Sequence, residues 1–235
     1  MKMVNNWFDI IQDCLFPPTC ILCGGEGFAS RDLCDGCYRL LSRNDHCCSL
    51  CAEVLDASAA GGALCGRCLR RRPAYDKVYA PFVYQGAVAH LITALKFNAH
   101  YPNARLLGTL LAEYLKRNAQ LPDRLVPVPL HRSRYAQRGF NQAMEIARTV
   151  ALELDVPLDF AGCSRHRDTP HQTGLPAKQR RKNMKNAFSL VKPVDARHIA
   201  LIDDVMTTGT TVHELAALYK KAGVGRVDVW VCARA

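Results

Sequence analysis

Residues 199–211 read IALIDDVMTTGTT. Four apolar residues run straight into two carboxylates, Asp203 and Asp204. After Val205 and Met206 come Thr207, Thr208, Gly209, Thr210 and Thr211. A short unbroken apolar run is the habit of a strand buried on both faces, as in parallel sheets. The small residues behind it set hydroxyls and backbone amides at the start of a helix, near Thr211, where a phosphate is favoured. Gly209 lets the backbone approach that phosphate closely. Two neighbouring carboxylates can accept hydrogen bonds from vicinal sugar hydroxyls or hold Mg2+ through water. A capped helix after a plain turn would use similar residues, but the complete order of strand, acids and small residues favours a strand-end site for a phosphorylated sugar.

Strands and helices alternate outward from this segment. Downstream, Val212, Leu215, Ala216, Leu218 and Tyr219 mark a helix that Gly223 stops, and residues 227–232 form a strand. Upstream, strands are expected at 198–202, 187–191, 158–164 and 125–130, with a strand or hairpin at 75–84. Helices are expected from Gly86 to about Phe97, across Leu106–Leu115, and over 141–154. Pro127 and Pro129 should end their strand at a bend. The pattern predicts an α/β fold, a mostly parallel sheet with flanking helices. Ligands on such sheets sit at the strand C-terminal ends. Lys96 reads as an exposed cation near a helix C-terminus.

Two basic segments fall at that same end. HRSRYAQRGFNQ, residues 131–142, carries Arg132, Arg134 and Arg138, and arginine suits bidentate phosphate contacts. Residues 165–185 hold seven Lys/Arg, among them Arg167, Lys178, Arg180 and Arg181, against one acid. Gly174, Pro170 and Pro176 argue against regular structure there, and a long basic loop is commonly functional or disordered. The formal net charge is +10. Residues 1–72 balance eight Lys/Arg against eight Asp/Glu, so the whole excess lies in 73–235. A basic surface favours phosphorylated molecules or nucleic acid.

The N-terminal region has a different logic. Eight of the twelve cysteines form four CxxC pairs: Cys20/Cys23, Cys34/Cys37, Cys48/Cys51 and Cys65/Cys68. A CxxC turn offers two thiolates on one knuckle, and zinc takes four. Two structural zinc sites are expected, ligated either sequentially or in a cross-braced arrangement. A region this short and this poor in aliphatic residues would lack a sufficient core without metal. Cys47 and His46 abut a ligand pair and form a minor alternative, whereas Cys163 and Cys232 read as buried inert thiols. The run Arg70, Arg71, Arg72, Pro73 marks the expected boundary between modules at 1–72 and 73–235, and its three arginines fit a polyanion contact and a solvated linker equally. Val4, Trp7, Phe8, Ile11 and Leu15 fit a short amphipathic helix rather than a signal peptide. With no run of 18 apolar residues, no membrane insertion is expected. Paired cysteines without a secretory signal point to a reducing, cytoplasmic compartment.

The segment LIDDVMTTGTT resembles the phosphoribosyl-pyrophosphate (PRPP) signature of type I phosphoribosyltransferases. The resemblance widens with the CxxC ribbons, YQG and LKF, VPVPLHRSRYAQRGFNQA, and RHRDTPHQTGLPAKQRRKNMKNAF. Together they are similar to the ComF family, also called GntX-like, competence-associated and amidophosphoribosyltransferase-like. The resemblance implies that Asp203 and Asp204 contact ribose hydroxyls and Mg2+, and that Thr207 to Thr211 bind the 5-phosphate. It also implies that Arg132 and Arg134 belong to the pyrophosphate-side loop, and that residues 167–182 form a flexible loop closing over the site. As activity it implies PRPP binding with transfer to a nitrogen nucleophile, or single-stranded DNA handling with other competence proteins during natural transformation. No acceptor pocket is readable in the sequence.

Overall fold

The computed structural model describes residues 17–28, 31–166 and 187–235. In chain order the elements begin with two single-turn helices among the cysteines, α1 (Asp35–Arg39) and α2 (Gly66–Arg70). Next come β1 (Lys77–Tyr79), β2 (Phe82–Val83), α3 (Gly86–Asn98), α4 (Tyr101–Asn118), β3 (Arg124–Pro127), α5 (Arg132–Arg138) and α6 (Gln142–Leu154). The chain closes with β4 (Cys163–Arg165), β5 (Phe188–Leu190), β6 (His198–Met206), α7 (Thr210–Lys221) and β7 (Arg226–Arg234). The main sheet runs β1–β7–β6–β3, with β2 also on β7, and every pairing is parallel.

The period-two alternation of the central strands divides the core in two. Ala200, Ile202, Trp230 and Cys232 face α3, α4 and α6. Ile199, Leu201, Val227, Val229 and Val231 face α7. Burying each such aliphatic side chain contributes about 1.5–3 kcal/mol. The cysteine-rich region divides between the same two sides. Cys20, Leu33 and Leu41 join the α3–α4 core, while Cys48, Cys51, Cys65 and Cys68 join the α7 core.

This region also covers a sheet edge. Val78 N donates to Leu50 O, Val83 N to Ser42 O, and Asn44 N to Pro81 O. Backbone groups that would otherwise template aggregation are thereby paired. At the opposite edge β3 is outermost, which is where a strand tolerates Pro127.

Residues 75–84 take the strand alternative rather than the hairpin, because β1 and β2 pair one after the other along the same strand, β7. Three expectations change. The strand expected at 158–164 is not in the main sheet beyond a bridge between Leu158 and Leu125. The Asp159 carboxylate accepts from Ala161 N and Gly162 N and turns the chain. Past this turn, β4 pairs antiparallel with β5 in a small sheet of their own. The arginine segment after Pro129 is the helix α5, begun by His131, whose Nδ1 accepts from Ser133 N, and ended by Gly139. Finally, β6 continues to Met206, so Asp203 and Asp204 lie within the strand rather than beyond it. The nine-residue partner β7 keeps the ladder going past the acids.

Candidate functional site

Asp203 and Asp204 sit near the C-terminal end of β6, as α/β sheets place ligand groups. Each engages the next backbone amide: Asp203 Oδ1 accepts from Asp204 N at 2.9 Å, and Asp204 Oδ1 from Val205 N at 2.8 Å. The second oxygen of Asp204 meets Lys96 Nζ at 2.7 Å, with the two side chains 4% and 20% exposed. Lys96 is therefore a largely buried partner of Asp204, not the exposed helix-end cation expected. It lies 108 positions upstream, and the last turn of α3 aims it at the acids. Burial works against its charge, but Asp204 outweighs burial and raises its pKa. Burial, with Asp204 next, pushes Asp203 up to about 8 against the pull of Lys96. Lys96 pairs with Asp204, and among the described residues Asp203 has no ion pair, which leaves it able to take a cation.

The loop after β6 has the predicted parts. Thr208 and Thr210 share a hydroxyl contact at 2.9 Å. Gly209 precedes α7 with φ +75°, a left-handed conformation that glycine adopts at little cost. The helix starts at Thr210, one residue before the expected Thr211.

Facing the acids, α5 brings Arg134 and Arg138 beside Lys96. With Phe97, Gln137 and Phe140 they line a cavity of about 230 Å³. Arg138 donates to Gln142 Oε1 at 3.1 Å and lies 5.6 Å from the centre of the Phe97 ring. Burial pulls its pKa down, and Asp204 acts to raise it. Arg132 opens α5 but does not line this cavity. Arg167, Lys178, Arg180 and Arg181 lie outside the described residues.

The cysteines gather sequentially. The sulfurs of Cys20, Cys23, Cys34 and Cys37 lie within 4.8 Å of one another, as do those of Cys48, Cys51, Cys65 and Cys68. Cys23 and Cys34 sulfurs are 3.8 Å apart, and those of Cys51 and Cys65 are 3.6 Å apart. Tetrahedral zinc with Zn–S bonds of about 2.3 Å needs such spacings. Cys37 N donates to Cys34 Sγ and Cys65 N to Cys48 Sγ, each at 3.3 Å. Burial of Cys48 opposes ionisation, yet amides of Cys65, Cys51 and Leu50 outweigh it and bring the thiol to about 7. The donor sets fit structural zinc, four protein ligands each with no position left open. Cys47 and His46 belong to neither group. Cys163 and Cys232 are buried, as expected.

The second cysteine group also touches the threonine loop. Arg67, one residue before Cys68, donates to Thr208 O at 3.0 Å and pairs with Glu53 at 2.8 Å. Glu53 also holds Arg234, which donates to Met206 O at 2.9 Å. Between the two lies a cavity of about 520 Å³, where Arg70, Arg71 and Arg72 face Thr208 and Thr210. These arginines, read from the sequence as a boundary, line a wall. Their approach to Thr208 and Arg67's contact with it carried no local signal, being set by tertiary packing.

Residues 11–69 match the model of the double zinc ribbon domain, and residues 137–235 that of the phosphoribosyl transferase domain. The chain is 37% identical over 227 residues to Competence protein F of Haemophilus influenzae, covering 92% of this chain and 96% of that one. The chain belongs to the ComF family. This member is also 36% identical to DNA utilization protein YhgH of Escherichia coli K12, across 86% of its own length and 90% of the relative's. Among solved structures, the Bacillus subtilis glutamine PRPP amidotransferase overlaps 55% of the chain at 19% identity with a TM-score of 0.37, and the chain spans a quarter of that enzyme. Among the described residues no helix is long and apolar enough to cross a membrane.

Proposed function

We propose that this ComF-family chain binds PRPP with Mg2+ and acts in DNA uptake by handling single-stranded DNA in the cytoplasm alongside other competence proteins. One arrangement carries the reading: two acids on a strand end, with a threonine loop at a helix N-terminus on one side and Lys96, Arg134 and Arg138 on the other. Thr207, Thr208, Gly209, Thr210 and Thr211 would take the 5-phosphate through backbone amides and hydroxyls. Asp203 and Asp204 would accept from the ribose hydroxyls and hold Mg2+ through water. Bound Mg2+ would add positive charge beside Asp203. Lys96, Arg134 and Arg138 would bind the pyrophosphate, with Arg132 at the mouth. Arg167, Lys178, Arg180 and Arg181, in the separate 167–182 segment, would supply further cations, as the family resemblance implies. The DNA role draws on the names of the relatives, a competence protein and a DNA utilization protein, and on the net charge of +10.

Calorimetry with Mg-PRPP tests the first half. Wild type should bind, Asp204→Ala should not, and Lys96→Met should bind about 10- to 100-fold more weakly, the range for a charge-assisted contact. No heat with wild type would sink the phosphosugar reading. Single-stranded oligonucleotides should bind with affinity that falls steeply with salt, and Arg180→Glu with Arg181→Glu should flatten the slope. A second reading, Mg2+-dependent transfer of the phosphoribosyl group to a nitrogen acceptor, is favoured by the cationic cavity, which suits a departing pyrophosphate. It predicts pyrophosphate release when PRPP is mixed with an ammonium donor.

A further inference from the structure

The mouth of the site carries a feature that phosphosugar binding leaves unused. Among the described residues, five large aromatic side chains are exposed: Phe28, Phe97, Tyr101, Tyr135 and Phe160. Tyr135 lies on α5, and Phe97, Tyr101 and Phe160 lie near it. Phe97 lines the cavity beside Lys96, and Tyr101 packs on Phe140 of that cavity with ring centres 5.1 Å apart. Tyr135 and Phe160, 54% and 69% exposed, line a separate cavity of about 240 Å³ behind α5, with Pro129, Met144 and Arg148. Leaving large aromatic rings in water forfeits burial energy. Exposed rings gathered at one place mark an interaction surface.

The charge around them selects the partner. Arg132, Arg134 and Arg138 lie on the same helix as Tyr135, and Arg148 lines the Tyr135–Phe160 cavity. Among the described residues lining that cavity the one acid is Glu145, paired with Arg148 at 3.7 Å. Flat rings interleaved with arginines bind single strands: the cations follow the phosphates and the rings stack with the bases. A duplex has its bases already stacked on one another and offers such rings nothing. Tyr135 and Phe140 flank Arg138 in the sequence, but Phe140 is buried against Tyr101. Phe160, from the loop after α6, takes the second position.

We propose that Tyr135 and Phe160 form a nucleobase-stacking site for single-stranded nucleic acid, separate from the Lys96 cavity and joined to it by the arginines of α5. This inference rests on the DNA-handling reading above and gives that reading a location. It implies that a strand seated there runs past Arg134 and Arg138, so its phosphates and the pyrophosphate of PRPP draw on the same cations.

The test is fluorescence anisotropy with a labelled oligo-dT and a duplex of equal length, on the full chain. Tyr135→Ala combined with Phe160→Ala should weaken oligo-dT binding about 10- to 100-fold, the range for losing one stacked base. The salt slope should stay as in wild type, because no charge is removed, and so should the thermal shift given by Mg-PRPP. Tyr135→Phe with Phe160→Tyr keeps both rings and should bind as wild type, and Phe28→Ala should change nothing. Wild type preferring the duplex, or binding no oligo-dT, would overturn the DNA reading and this site with it. Wild type binding oligo-dT with the double alanine variant unchanged would overturn the site alone. A variant that loses the Mg-PRPP shift together with oligo-dT binding would overturn the claim that the two pockets are separate.

Discussion

The two cysteine groups share one sequence pattern and serve different parts of the molecule. The first has Cys23 exposed and Cys34 and Cys37 half-buried. Among the described residues, the ion pairs it makes outside itself, Arg31 with Glu113 and Asp32 with Arg105, reach α4. The second is buried at all four cysteines. Its neighbours Glu53 and Arg67 reach Arg234 and the Thr208 carbonyl, which belong to the end of the sheet and the threonine loop. One group clamps the helix layer, and the other is built into the wall of the candidate site. Spacing alone makes the two look equivalent, so what distinguishes them is the side of the sheet each is packed against.

The strongest way to break this comparison is to remove one ligand from each group. Metal at such sites contributes about 10 kcal/mol or more to the folding of small ribbons. Cys68→Ser should lose one zinc by elemental analysis, lower the melting temperature by about 10 °C or more, and abolish the Mg-PRPP thermal shift. Cys23→Ser should also lose one zinc yet keep PRPP affinity within about threefold, because distant sites behave independently. Equal effects on PRPP binding would remove the distinction.

Two glycines sharpen it further. Gly24 in the first group and Gly209 in the threonine loop both have left-handed backbone, at φ +76° and +75°. A Cβ on Gly24 meets nothing within 4 Å, whereas one on Gly209 falls 2.7 Å from Met206 Cε and 3.3 Å from the Tyr75 hydroxyl. Gly24→Ala bears only the backbone strain, about 1 kcal/mol, or about 2–4 °C. Gly209→Ala bears the same strain and must also displace the flexible end of the Met206 side chain, which adds about 1 kcal/mol or less. Differential scanning fluorimetry should therefore show a somewhat larger drop for Gly209→Ala, and only Gly209→Ala should weaken PRPP binding.

Local signals were enough for much of this. The CxxC spacing paired the cysteines because both ligands of a knuckle are close in sequence. The run Ile199 to Ile202 announced a buried strand because both its faces are apolar. Signals failed where the cause is distant. Asp203 and Asp204 looked like a strand end because they are polar, but the backbone of β7 extends the ladder beside them to Met206. Lys96 looked solvated because nothing near it in the sequence is acidic, and its partner arrives only when β6 is in place. The segment of helix α5 reads as a loop in the sequence, although Gly139 behind it is a good helix stop. In the sequence Arg70, Arg71 and Arg72 fit a polyanion contact and a solvated linker equally, because their role as a wall exists only once Thr208 faces them.

The smallest expected effect is the most specific. Arg67 and Arg31 are each one partially exposed arginine in a ribbon, and each pairs with a glutamate, at 2.8 and 3.4 Å. Truncating either removes a pair of the kind worth about 0–1 kcal/mol. Arg67 also donates to Thr208 O, so Arg67→Ala removes a fixed point from the loop proposed to hold the 5-phosphate. PRPP affinity should fall about 3- to 10-fold, the range for one hydrogen bond from a charged donor in a partly exposed setting. Arg31→Ala should leave that affinity unchanged while both variants melt within about 4 °C of wild type. The melting measurement separates a local loop effect from general destabilisation. Equal PRPP affinity in the two variants, measured by calorimetry, would mean that the second ribbon supports the fold but does not position the loop.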